Sequence, residues 1–141
     1  MFKVLFLDIK SGTLLRMPYV WYSLLLMGLL IAFIVATVLS IGIGEHLASG
    51  NLSGAQNQLL NAFSGPYLVT SLIFMCGYFF ASYNILAKRI RDTGLPGWWA
   101  VLVILVVELV ISALFSSTLS SLAHLLITAA VVFIPSDRFK Q

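Results

Sequence analysis

"AKRIRDTGLPGWW", residues 87–99, is the stretch on which the reading of this chain turns. The 141-residue chain has eight Lys and Arg and five Asp and Glu, and Lys88, Arg89, Arg91 and Asp92 fall together here. Elsewhere the sequence is close to continuously apolar: 60% of residues are hydrophobic, 9% are charged, and the mean hydropathy is +1.03. Soluble domains carry charge on about a quarter of their residues. One polytopic membrane domain, residues 1–141, is therefore expected, with no polar block long enough for a second domain. The lone cysteine, Cys76, can form no internal disulfide.

Working outward from the knot, the apolar runs can be counted against the bilayer. A helix needs about 20 apolar residues to cross roughly 30 Å of hydrocarbon. Residues 19–43 and 67–86 each satisfy this. The apolar run 98–134 is too long for one span, and "SSTLSS" at 116–121 offers a turn that splits it into helices at about 98–115 and 119–134. The last is short but within reach of local bilayer thinning.

Charge selects four spans over three. The basic residues lie in three places: Lys3, Lys10 and Arg16; Lys88, Arg89 and Arg91; Arg138 and Lys140. Neither the connection 44–66 nor the serine turn holds any. Four spans put every basic cluster on one side, which the positive-inside rule makes the cytoplasm, with both termini there. The expected fold class is thus an all-α membrane protein with four transmembrane helices. Residues 1–9 place Phe2, Leu5, Phe6 and Ile9 on one helical face and read either as an N-terminal interfacial helix or as an ordinary terminus. They do not read as a secretory signal, because Asp8 and Lys10 break the apolar block and no small-residue cleavage site follows. In the outer connection, Ser53–Gln56 resembles a capping box, with Leu59, Leu60 and Phe63 on one face of a short helix ending near Gly65 and Pro66. Asn51-Leu52-Ser53 matches a glycosylation acceptor, a pattern short enough to arise by chance.

The knot itself reads first as a topology anchor. The second span runs on through 87–91, Gly94 ends it in a left-handed conformation, and Pro96 suits the start of the next helix. Trp98 and Trp99 stand at headgroup level, and three cations lie where anionic lipid headgroups are. Arg89 and Asp92, three apart on a helix end, can pair and fix the turn, while Lys88 and Arg91 could hold a phosphate headgroup or an acidic partner. Asp92-Thr93-Gly94 is also the aspartic-protease tripeptide, but that chemistry needs two apposed carboxylates on a β fold. The structural clamp is the preferred reading.

Residues 87–102 resemble the signature of the DUF805 family of small bacterial inner-membrane proteins, roughly Arg-Arg-Leu-His-Asp-Thr-Gly-x-Ser-Gly-Trp-Trp. Arg89, Asp92, Thr93, Gly94, Gly97, Trp98 and Trp99 fit it. Arg16 with Trp21-Tyr22 is similar to the family's Arg and Tyr-Trp at the mouth of the first span, and Pro135, Arg138 and Phe139 to its closing segment. Arg91 stands where the family usually has histidine, Pro96 replaces a serine, and the first Arg-to-Trp spacing is one longer. A pH-sensing role built on that histidine therefore does not carry over. The resemblance implies a multi-pass protein of the bacterial inner membrane; the family has no established activity.

A polar seam marks the last two helices. Glu108 lies about 15 Å along its span, where a carboxyl is costly. Glu108, Ser112 and Ser116 share one helix face, and Ser120, His124 and Thr128 share another; in an antiparallel hairpin the two can meet. Two readings stay open: a hydrogen-bonded seam holding the hairpin, the preferred one, or a proton or cation site of a small carrier. A Ser–His–Glu hydrolase is disfavoured, because no nucleophile elbow or oxyanion hole is present. Gly28, Ala32, Ala36 and Ser40 give the first span a small-residue stripe suited to close helix packing, and Gly77 with Ala81 gives a shorter one.

No metal site, cofactor or nucleotide loop is expected, and the +3 charge is explained by membrane orientation without nucleic acid. The leading expectation is a non-catalytic accessory or scaffold protein, binding anionic lipid, another membrane protein or a second copy of itself. A small proton- or cation-coupled transporter centred on Glu108 and His124 is the alternative. A lipid-modifying enzyme ranks third.

Overall fold

The computed structural model describes residues 2–63 and 65–136. Seven helices follow one another: α1 (Phe2–Phe6), α2 (Arg16–Ile41), α3 (Ile43–Ala48), α4 (Leu52–Phe63), α5 (Pro66–Asp92), α6 (Gly97–Leu114) and α7 (Ser117–Phe133). No strand occurs among the described residues. Three helices are long and apolar enough to cross a membrane, at Arg16–Ile41, Tyr67–Asp92 and Gly97–Leu114, and Thr118–Phe133 is a shorter apolar helix. The chain divides into two compact units, Leu25–Phe79 on one side and Met1–Leu24 with Phe80–Gln141 on the other.

Exposure is inverted relative to a soluble protein. Only 6% of the most apolar window of α2 is buried, while the buried set includes Asn84, Lys88, Arg89, Asp92 and Thr93. Leucines, valines and phenylalanines line the outside because hydrocarbon, unlike water, exacts no penalty for exposing them, whereas exposed polar backbone and charge must be satisfied within the chain.

Within unit Leu25–Phe79, the expected boundary at residue 43 moves. Gly42 takes the left-handed conformation (φ 74°), so α2 ends at Ile41 and α3 begins at once. The Gln58 side chain donates to the freed Ile41 carbonyl at 2.7 Å, and Ile41, Ile43 and Ala55 close a small apolar core. The expected capping box at Ser53–Gln56 is corrected: α4 starts earlier, and Asn51 caps it, its side-chain oxygen accepting from Gly54 N–H and the Ser53 hydroxyl at 3.0 Å each. The sequence from Ile43 to Ala48 is helical. Phe33 and Phe74 stack with ring centroids 3.8 Å apart, tying α2 to α5.

In the other unit, where residues 1–9 read either as a helix or as an ordinary terminus, a helix forms, shorter than that stretch. It stops at Phe6, because the chain turns at Asp8, which carries φ 55°, and Gly12 N–H closes the loop on the Asp8 carbonyl at 3.0 Å. Aspartate tolerates that conformation better than most residues. α5 runs without a break from the apolar span into the knot and ends before Gly94, which has φ 100°. Pro96 is the residue before α6, one position earlier than first-turn placement. At the other end of α6, Ser116 caps α7 through Leu119 N–H at 3.2 Å, so α7 begins two residues before the expected 119. The two helices pack together as a hairpin.

Candidate functional site

The knot lies on the last two turns of α5, and its side chains leave that helix on two faces. Asn84, Lys88 and Arg91 are spaced four and three apart and share one face. All three donate to backbone carbonyls of the N-terminal segment. The Lys88 ammonium bonds Val4 and Leu7 oxygens, each at 2.6 Å, and Asn84 bonds Leu5 at 2.8 Å. Arg91 bonds Gly12 at 2.6 Å and Ile9 at 2.8 Å. Trp98 Nε1–H adds a second donor to Ile9 at 3.1 Å. A helix leaves its last four carbonyls without intrahelical partners, and in α1, a five-residue helix, Lys88 and Asn84 supply donors to two of them, Val4 and Leu5. The approach is close: a Cβ on Gly12 would lie 2.7 Å from the Asp8 carbonyl and 2.9 Å from Lys88 Cε.

Arg89 and Asp92 point to the end of α7. Arg89 is fully buried and ion-paired to Asp92. Its Nε donates to the Val131 carbonyl at 3.2 Å, and Nη2 donates to the Ile134 carbonyl. Ser136 donates to Asp92 at 2.6 Å. Arg16, at the start of α2, donates to the Phe133 carbonyl at 3.0 Å. Two guanidinium groups thus meet one helix C-terminus, the end at which orphan carbonyls and the helix dipole favour cations. The remaining knot residues separate by exposure. Thr93 is buried with its hydroxyl on Ile90 O at 2.6 Å, Trp98 is half-buried, and Trp99 is 72% exposed.

Several participants escaped the sequence reading. Asn84 was the one polar amide in the lower half of an apolar span, four residues before Lys88, which is a readable signal. Gly97 packs so closely on α5 that a Cβ there would collide with the Ala87 carbonyl oxygen, and Ala87 is fully buried. Ser136 has no sequence signal of its own. Arg138 and Lys140 lie outside the described residues, as does Phe139.

The polar seam forms at one point. His124 Nδ1 and Glu108 Oε1 are 2.8 Å apart, and the Ser120 hydroxyl donates to the Glu108 carbonyl at 3.0 Å. The Glu108 side chain is 13% exposed and that of His124 48%. Ser112 is exposed and Thr128 half-buried. The stripe Gly28, Ala32, Ala36 and Ser40 is exposed along its whole length, and a Cβ on Gly28 would meet nothing within 4 Å. Among the described residues no three His, Cys, Asp or Glu side chains gather as a metal site.

The model of a family described as "Protein of unknown function (DUF805)" matches residues 9–139. No curated protein and no solved structure matches the chain.

Proposed function

The chain belongs to the DUF805 family, and from that premise we propose that it is a non-catalytic accessory protein of the bacterial inner membrane. In this reading it has four spans, with the knot and both termini cytoplasmic, and it works by presenting a fixed surface to lipid or to a neighbouring membrane protein. The observation that carries the proposal is that the knot's donors are spent within the chain. Lys88, Arg89, Asp92 and Asn84 are buried, and their donors are directed at the chain's own carbonyls and carboxylate. A catalytic cleft keeps polar groups open to a substrate and tunes them against one another. This cluster spends them on holding its own backbone. What faces outward is recognition surface: the Trp99 indole, the small-residue stripe of α2 and apolar helix faces.

The stripe supports a protein partner or a second copy, because small residues spaced by four let helices approach closely in lipid, where packing replaces the hydrophobic effect. Extraction of the tagged chain into lipid discs, followed by native mass spectrometry, tests this. The expected result is one stoichiometric protein neighbour, another membrane protein or a second copy, held by the wild type and lost from Ala32→Leu/Ala36→Leu with helical content unchanged. A monomer surrounded by unselected bulk lipid, or turnover of lipid by the purified protein, would overturn the proposal.

A further inference from the structure

Glu108 and His124 are the only ionisable residues of α6 and α7, 16 positions apart in sequence and brought to 2.8 Å by the hairpin. We infer that this pair is a proton-binding site within the bilayer, reached from water through the serine-lined end of the hairpin. The inference goes beyond the accessory role, which stands whichever way this one falls.

Charge counting comes first. A carboxylate hydrogen-bonded to a neutral imidazole carries a net charge of minus one, and a net charge in hydrocarbon is costly. Taking up one proton brings the pair to zero, as carboxylate with imidazolium or as carboxylic acid with imidazole. The proton comes from hydronium, whose O–H bond breaks to leave water, and adds to the free imidazole nitrogen or to the carboxylate; there is no change of oxidation state. A proton is therefore the ligand that makes this pair inexpensive in its surroundings. A purely structural tie between two membrane helices needs no such group, since two hydroxyls or amides join them without a titratable charge.

The geometry supplies access. His124 is seven residues into α7, about 10 Å from its start. Over that distance Ser116, Ser120 and, from α6, Ser112 lie on the faces that carry the pair, with Ser112 and Ser116 exposed. The Glu108 carboxylate is largely covered by the hairpin, and the imidazole less so. Beyond Thr128 the sequence Ala129–Phe133 is apolar, which leaves the serine end as the polar approach. From α5, Tyr83 lies in electrostatic range of Glu108.

The test is infrared difference spectroscopy of the full-length protein in phosphatidylcholine–phosphatidylglycerol vesicles, stepped between about pH 5 and pH 8, the range in which histidine exchanges protons. His46→Gln removes the other histidine, and isotope-labelled histidine separates ring bands from carboxyl bands. The expected result is a reversible protonation change in the carboxyl or the ring that is lost in Glu108→Gln/His124→Gln and retained, at altered frequency, in Glu108→Asp. The His46→Gln spectrum decides before either member of the pair is changed: no change across the range overturns the site. So does a change that survives in the double variant, or one that requires potassium or sodium.

Discussion

Arg89 has no exposed surface, and each of its three nitrogens has an acceptor: the Val131 carbonyl, the Asp92 carboxylate with the Ser136 hydroxyl, and the Ile134 carbonyl. That arrangement uses the guanidinium as a planar fork, which lysine cannot imitate with a point charge on a flexible stem. Removing one partner of a buried pair leaves the other uncompensated, a loss of about 3–5 kcal/mol in measured cases. Asp92→Asn is expected to destabilise the protein by about 3 kcal/mol on that basis, and Arg89→Lys, which keeps the charge but loses the fork, by less, each read as a lower unfolding midpoint in mild detergent. Unchanged melting curves for both would mean that this pair holds nothing. The pairing of Arg89 with Asp92 was readable, because a spacing of three on a helix end brings two such residues together. Their further partners were not, because carbonyl acceptors belong to every residue alike.

α5 is the element around which one unit is organised, since it offers two faces of the same two turns to two chain ends. Lys88 with Asn84 and Arg91 takes the N-terminal segment, and Arg89 with Asp92 takes α7. Hydrogen bonds from charged donors contribute about 1.5–3 kcal/mol each. Lys88→Met keeps the aliphatic stem and removes the bonds to Val4 in α1 and to Leu7 just beyond it, so limited proteolysis within residues 4–12 should quicken at least about tenfold, the equivalent of 1.4 kcal/mol. Equal cleavage rates in variant and wild type would show that the ammonium does not retain the segment. At this scale the sequence located the long helices well. Apolar runs flanked by Gly94, Pro96 and Ser116 were legible because each break has a local cause, a left-handed glycine, a proline or a hydroxyl cap, whereas the break at Gly42 fell inside an expected span. Boundaries slipped by two or three residues where a competing cap lay nearby, as Asn51 did for Ser53.

For the whole molecule, three helices have the length and hydropathy of spans, and α7, at 17 residues, is about 25 Å long. Crossing with α7 requires modest thinning of the bilayer. The four crossings proposed above would return the C-terminus to the side of the N-terminus and would keep the connection 44–66, which carries no Lys or Arg, opposite the knot. A reporter fused after Gln141 should therefore be active only in the cytoplasm, and one inserted at Gly50 only outside it. A C-terminal reporter active outside would reduce the protein to three crossings and remove the reason for reading the serine turn as an external opening.

Composition, the length of the apolar runs and the placement of basic residues were enough to determine an all-helical membrane chain and the approximate ends of its long helices, because the bilayer imposes a length and a polarity that each segment must meet by itself. The residues 87–99 also carried the family. Where the cations point was decided only by tertiary structure. A lysine before two tryptophans has the same sequence whether it meets a lipid phosphate or the end of another helix, and here the carbonyls of residues 4–12 and 131–134 receive Lys88, Arg89 and Arg91. The meeting of Glu108 with His124 was likewise a matter of how α6 and α7 pack, since spacing places each residue on a face and only the hairpin sets those faces together.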